Sequence, residues 1–324
     1  MTSLLVTLAD KNYIDQAKQL FSSVYFNAGW AGDYMLLAHE IPKSELKWFR
    51  DKGILVKECL PLYEGRLASG YPVTILDKFY LFTPEFKKWN NVIFLDADII
   101  VRYSFEKLTK LKGFNAVLDF GNPLLKDQFN KTTSKSYLRD EISKNFNINS
   151  SAFNTGVMAF NTQIIKEGSL KSLLTLFSKY ESICKYGEQP IINLYFYKKW
   201  KKLNFLYNTS FLYFTQHYHL NRNKINSIII HFMSSDKPWY ITNPFYDEWK
   251  NNLDKSNMID LKNRKIENIK ILNKNKILYL NLNFNIIKIY FDLYYFTDRL
   301  IGLTGIYLKN KYPKFSNYLL KLKK

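Results

Sequence analysis

Among 324 residues there are only two cysteines, Cys59 and Cys184, a scarcity that excludes a disulfide framework or a cysteine-built zinc site. No uninterrupted apolar run reaches the length of a transmembrane helix. Met1 is followed by Thr2-Ser3 and at once by a strand-like run, with neither a basic n-region nor a cleavage-like pattern. The expected location is therefore the cytoplasm. After the first predicted strand the chain reads Ala9-Asp10-Lys11-Asn12, not GxGxxG, which disfavours a conventional dinucleotide fold. No internal repeat is present. Acids are few, 28 against 47 Lys and Arg, for a net charge of +19. That charge comes without any nucleic-acid-binding motif, so nucleic acid is not an expected partner.

What the chain does have is apolar material, with 47% hydrophobic and 17% aromatic residues. That is ample for one large or two small domains. Elements alternate in the manner of βαβ units. Leu4 to Leu8 reads as a strand, and Ile14 to Tyr25 sets Ile14, Ala17, Leu20, Phe21 and Val24 on one helical face. Tyr34 to Ala38 and Ile54 to Val56 are further strands. Between them Ser44 to Asp51 is a short helix with Gly53 placed to end it. Val73 to Phe82 reads as a helix stopped before Pro84. The first hundred or so residues thus resemble one nucleotide-binding half of a doubly wound sheet. A polar stretch from Gly121 to Ser151 interrupts the pattern, as a lid or acceptor loop would.

Val92 to Val101 then sets Asp96 and Asp98 one residue apart in a run that reads as a buried strand. Two carboxylates there are costly unless a partner offsets them, and strand ends in such sheets are where ligands collect. Neighbouring oxygen ligands suit a hard divalent cation carrying a nucleotide diphosphate. A turn with two solvated acids is the plain alternative. Four other segments bear on the same idea. Lys78 lies ahead of the acidic run; Phe153-Asn154-Thr155-Gly156-Val157 joins a polar turn to an apolar strand; Glu188-Gln189-Pro190 marks a helix start. Ile228 to Phe232 is a strand ending in His231, followed by Lys237-Pro238-Trp239. Taken singly, each has an ordinary reading: a solvated lysine, a turn, a cap, a structural histidine.

In this order the segments resemble glycosyltransferase family 8, the retaining group that includes glycogenin and bacterial lipopolysaccharide galactosyl- and glucosyltransferases. The matching pieces are Leu5-Val6-Thr7-Leu8, Lys78, Asp96-Ala97-Asp98, Asn154-Thr155-Gly156, Glu188-Gln189 with Asn193, Leu206-Tyr207-Asn208, and His231-Phe232 through Trp239. The resemblance implies an α/β fold of the nucleotide-diphospho-sugar transferase (GT-A) type, with a mostly parallel central sheet. It implies a hexosyltransferase acting from a UDP-sugar donor, UDP-glucose or UDP-galactose, on a glycan or lipid-linked glycan. By the same resemblance Asp96, Asp98 and His231 are ligands of Mn²⁺. Leu8, Asp10 and Tyr13 lie at the uridine; Lys78, Ala97, Ser234 and Lys237 contact the donor and its diphosphate. Glu188, Gln189 and Asn154 stand beside the reacting sugar. Ser234 replaces the glycine the family usually carries three residues after the histidine.

Residues 262–324 hold 14 Lys or Arg against three acids, +11 of the total +19. We take 1–260 as the catalytic domain and 261–324 as a basic, aromatic helical tail. Its composition suggests peripheral attachment to an anionic membrane face, with an accessory helical subdomain as the alternative. Two other functions compete. An apolar strand ending in Asp-x-Asp also heads haloacid-dehalogenase phosphatases, but near their N-terminus, and that reading leaves the His–Lys-Pro-Trp segment unexplained. A non-enzymatic, basic surface-binding protein would show salt-sensitive binding and no Mn²⁺ dependence.

Overall fold

The computed structural model describes residues 2–130, 135–222, 225–233, 235–264 and 269–311, and only the backbone at residues 136 and 295–311. The chain forms two units, Met1–Ile271 and Leu272–Lys324.

In the first unit, β1 (Ser3–Asp10) leads through α1 (Ile14–Ser23) to β2 (Asp33–His39), and α2 (Lys43–Asp51) leads to β3 (Leu55–Cys59). Gly53 follows α2 at φ +83°, the left-handed conformation that ends a helix at little cost in glycine. The run Val73–Phe82 is wound into tighter 3₁₀ turns instead of the predicted α-helix. Next come β4 (Asn91–Leu95), β5 (Ile99–Val101), β6 (Phe114–Leu118) and α3 (Ser136–Asn145). β7 (Phe153–Asn161), α4 (Ser169–Tyr180), α5 (Gln189–Tyr195), β8 (Trp200–Lys202), β9 (Thr209–Ser210), β10 (Ile229–His231) and α6 (Tyr246–Lys255) complete it. The stretch Gly121 to Ser151 is therefore partly helical.

Seven strands form the main sheet in the order β3-β2-β1-β4-β7-β6-β8. It is mostly parallel: β1 pairs in parallel with β2 and β4, β2 with β3, and β6 with β8, while β7 runs antiparallel to β4 and β6. Side chains alternate across it with the period of two that a strand imposes. Leu4, Val6 and Leu8 of β1 join Met35 and Leu37 of β2 in a core with Phe79, Phe82, Phe177 of α4 and Ile191 of α5. On the opposite face Phe21 of α1 packs edge-on against Tyr34 of β2 and Phe49 of α2.

The order reverses between β1 and β4. From β1 the chain winds outward through β2 to β3, then returns to the other side of β1. Such a reversal leaves a crevice beyond the carboxyl ends of the two strands.

The Val92 to Val101 run is not one strand. β4 stops at Leu95, the chain turns through Asp96-Ala97-Asp98, and β5 joins a second, three-stranded sheet in the order β5-β10-β9. Both halves are fully buried, so their apolar residues carry no sign of the break. The jump between sheets is what holds the two acids at the crevice.

In the second unit, α7 (Lys274–Lys311) is a single long helix. Among the described residues no helix is long and apolar enough to cross a membrane.

Candidate active site

Two backbone bonds and one strand pairing build the centre of the site. Asp96 N donates to Gly156 O at 2.9 Å, which extends the β4–β7 ladder one residue past β4. Phe232 N donates to Asp98 O at 3.1 Å, and β10 runs antiparallel to β5 with His231 opposite Ile99. Asp96 is thereby fixed to one sheet, Asp98 and His231 to the other, and the three side chains converge. Their ligand atoms all lie within 4.8 Å of one another. His231 Nε2 stands 3.1 Å from Asp98 Oδ1 and 3.8 Å from Asp96 Oδ2.

These residues fit a divalent ion. Metal–ligand bonds of about 2.1 Å in an octahedron put adjacent ligand atoms about 3 Å apart and opposite ones about 4.2 Å apart, a range that brackets both separations. Two carboxylates and an imidazole form a donor set that a transition ion accepts readily. Gly156 makes room for the ring: a β-carbon there would stand 2.1 Å from His231 Cε1, closer than packed atoms tolerate.

Two lysines neutralise the acids. Lys78 Nζ lies 2.9 Å from Asp96 Oδ1 and 2.7 Å from Glu188 Oε1. Burial alone would lower the pKa of this ammonium, but the two carboxylates outweigh it and the pKa is raised. Lys237 Nζ lies 2.5 Å from Asp98 Oδ2 and also donates to Phe232 O. Burial would raise the Asp98 pKa, but His231 and Lys237 hold it well below the ordinary carboxylate range. Trp239, two residues beyond Lys237, meets Tyr13 edge-on, with ring centroids 5.9 Å apart; this carries the loop after β1 to the metal cluster.

Glu188 precedes α5, where Pro190 occupies the first turn. Asn193, one turn further, clamps α5 to the start of β7 by bonding both Phe153 N and Phe153 O at 2.9 Å. This docking puts Thr155 Oγ1 2.9 Å from Glu188 Oε1. It also brings Gln189 Oε1 within 3.0 Å of Asn154 Nδ2 and 3.1 Å of Thr155 N.

A cavity of about 690 Å³ opens at this point. Leu8, Asp10, Tyr13, Lys78, Asp96, Ala97, Asp98, Asn154, Glu188, Gln189, His231 and Lys237 all line it. Ser234 lies outside the described residues. Asp119 lines the cavity too, although the sequence pattern does not single it out. It follows β6 as Asp96 follows β4, an acid closing an apolar strand, and that was the available signal. Asp119 Oδ1 accepts from Gly121 N and Asn122 N, both at 3.1 Å, and Oδ2 accepts from Gln189 Nε2 at 2.9 Å. Burial raises the pKa of this carboxyl, and the bonds from Gln128, Asn122, Gln189 and Gly121 partly offset that. Tyr71, Tyr186, Tyr213 and His217 add aromatic surface to the cavity.

An α/β fold with a mostly parallel sheet, a ligand crevice at its reversal point and an Asp-Asp-His cluster within it make up a GT-A-like fold. The sequence model of Glycosyl transferase family 8 matches residues 4–242. The chain belongs to that family, and the phosphatase reading falls. It is 25% identical over 254 residues to glycosyltransferase GlyF and 27% over 248 residues to GlyA, both of Streptococcus pneumoniae serotype 4. The matches cover 74% and 72% of this chain but only 58% and 32% of those proteins. Among solved structures, the galactosyltransferase LgtC, in complex with donor and acceptor sugar analogues, aligns with a TM-score of 0.59 at 15% identity. That alignment covers 78% of this chain and 95% of LgtC. Apo GlyE of Streptococcus pneumoniae TIGR4 aligns over 78% of this chain and 60% of its own, with a TM-score of 0.55 at 19% identity. At these identities the likeness is one of fold.

Proposed function

We propose that the protein transfers a hexose, with retention at the anomeric carbon, from UDP-glucose or UDP-galactose to a glycan or lipid-linked glycan, with Mn²⁺ as its metal. The observation that carries this reading is the convergence, in one cavity, of three metal-type ligands with two lysine ammoniums. Breaking the sugar–diphosphate bond develops negative charge on a phosphate oxygen. Asp96, Asp98 and His231 would hold a divalent ion that would supply Lewis acidity to that leaving group. Lys237 and Lys78 add positive charge on the same side. Leu8, Asp10 and Tyr13 flank the uridine.

Glu188 is 3% exposed and faces the region where the sugar gains positive charge. Its carboxylate steadies that cation during same-face attack, or serves as the nucleophile of a double displacement. Asn154 and Gln189 stand beside it. Residues 1–260 form the catalytic domain in this reading. The basic, aromatic residues 261–324 hold the protein peripherally on an anionic membrane surface.

The deciding experiment is UDP release from a panel of UDP-sugars, with and without Mn²⁺. Release from one sugar that requires Mn²⁺, and that drops on the order of a hundredfold or more in Asp98→Asn, is the expected result. Normal turnover by that variant, or no UDP–Mn²⁺ binding by the unaltered protein, overturns the assignment.

A further inference from the structure

The motif Leu206-Tyr207-Asn208 has no role in the chemistry above, yet Asn208 is buried at 3% exposure and touches two residues of the site. Its Nδ2 donates to Asn154 Oδ1 at 2.8 Å, and its Oδ1 lies 2.9 Å from His231 Nδ1. We infer that Gln189, Asn154 and Asn208 form a one-way hydrogen-bond relay that holds the His231 ring with Nδ1–H donating to Asn208 Oδ1, so that Nε2 is the ring atom presented to Asp96 and Asp98. The three amides are positioning residues for that ligand. The inference rests on the proposed reading of the Asp96–Asp98–His231 site.

The direction of the relay follows from groups that have no choice. An amide side chain accepts only through oxygen and donates only through nitrogen, and a peptide N–H can only donate. Two peptide N–H groups at the start of β7 point into the network. Thr155 N donates to Gln189 Oε1 at 3.1 Å, and Gly156 N donates to Asn154 Oδ1 at 2.9 Å. Both amide oxygens are thereby pinned. Gln189 Nε2 must then face the acceptors Asp119 Oδ2, at 2.9 Å, and Gln128 Oε1, at 2.8 Å. Asn154 Nδ2 must face Gln189 Oε1, at 3.0 Å. Asn154 Oδ1 now has only donors around it, so Asn208 presents its Nδ2 there and turns Oδ1 to the imidazole. An acceptor opposite Nδ1 requires a proton on Nδ1. Nε2 is then the ring atom that faces the acids, 3.1 Å from a carboxylate oxygen. Two carboxylates and this nitrogen converge on one point, an arrangement that a bound cation stabilises.

The relay also accounts for residues the sugar chemistry leaves without a task. Gln128 is fully buried at the far end, and Asp119 terminates the chain as a group that accepts along both oxygens. Outer partners of this kind orient metal-ligating imidazoles and raise their basicity.

The test compares Asn208→Leu with Asn208→Asp in the full-length protein. Leucine keeps the bulk and removes the acceptor. Aspartate keeps the acceptor to His231 but sets an oxygen against Asn154 Oδ1 in place of the donor, while Asn154 Oδ1 still holds the bond from Gly156 N. Nitrogen-15 correlation spectra of histidine-labelled, metal-free protein read whether Nδ1 carries a proton held in a hydrogen bond. His231→Gln identifies the signal among the four histidines. Calorimetric titration with Mn²⁺ plus UDP reads the affinity.

In the unaltered protein and in Asn208→Asp, His231 is expected to be protonated on Nδ1. In Asn208→Leu that Nδ1 proton loses its acceptor and its protected signal, and Mn²⁺–UDP affinity falls roughly 10- to 100-fold with the amide spectrum otherwise preserved. An Nδ1 without a proton in the unaltered protein, or an Asn208→Leu variant with unchanged Nδ1 signal and affinity, overturns the relay. If the unaltered protein shows the Nδ1 proton but binds no Mn²⁺–UDP, the relay stands and the functional reading falls.

Discussion

At the scale of single residues, Lys237 shows how the site holds its charge before any ligand arrives. Its ammonium sits 2.5 Å from Asp98 Oδ2, so one ligand carboxylate is already paired. A bare divalent ion has to displace that lysine, whereas an ion arriving with a diphosphate offers the ammonium a new partner. Metal and nucleotide should therefore bind more tightly together than apart. In Lys237→Gln, Mn²⁺ alone is expected to bind about tenfold more tightly, because a cation next to the ligand is gone. UDP–Mn²⁺ is expected to bind less tightly, because the phosphate contact is gone. Paired titrations with and without UDP measure both; equal shifts in the same direction would dismiss the counter-ion role.

How much of this was legible in the sequence depends on the chemistry of each group. Asp96, Asp98 and His231 announce themselves, because an ionisable side chain closing an apolar run has few inexpensive explanations. Gln128 does not, and Asn208 stands out only through the family resemblance, because an amide looks the same whether it is solvated or buried in a network. Their roles come from partners 54 and 61 positions away.

At the scale of elements, the strap Val73–Phe82 is set by what it must reach. Apolar periodicity predicts a helix there, and the residues do bury, but as 3₁₀ turns. In this winding Asp77 meets His39 at the end of β2, at 2.7 Å, while its neighbour Lys78 reaches Asp96 and Glu188. The β4–β5 break is equally hidden, because residues on both sides are apolar and wholly buried; the turn is fixed by pairing with β7 and β10. Asp77 gives the strap a pH signature. Burial pushes its pKa up to about 6, with His39 and Cys59 opposing the shift. An acid whose pKa is higher folded than unfolded binds its proton more tightly in the folded state. Its contribution favours folding below the unfolded value and is lost as pH rises toward about 6. Relative to Asp77→Asn, the unaltered protein should lose up to roughly 3 kcal/mol of stability between about pH 4 and pH 6.5. Denaturant midpoints at the two ends of that window measure this. A pH-independent difference between the two proteins would show that the buried pair keeps one charge state throughout.

At the scale of the whole molecule, the charge is concentrated where the sequence is also apolar. Of the net +19, +11 belongs to residues 262–324, and α7 exposes Leu278, Leu282, Ile286, Ile289 and Leu293. These recur at spacings of three and four, so they share one stripe of the helix. A basic helix with such a stripe gains from an anionic interface twice, through the charges and through burial of apolar side chains. The two contributions separate experimentally, because only the first is screened by salt. Full-length protein is expected to co-sediment with vesicles containing anionic lipid and not with purely zwitterionic ones. Raising the salt should weaken the binding without abolishing it. The double variant Leu282→Glu, Ile289→Glu breaks the stripe while leaving every basic residue in place, and it should release the protein at a salt concentration the unaltered chain withstands. Binding that depends on salt alone, equal in both proteins, would reduce the tail to a polycation and remove the stripe from the account. Indifference to anionic lipid would leave α7 as an accessory helix with no membrane role.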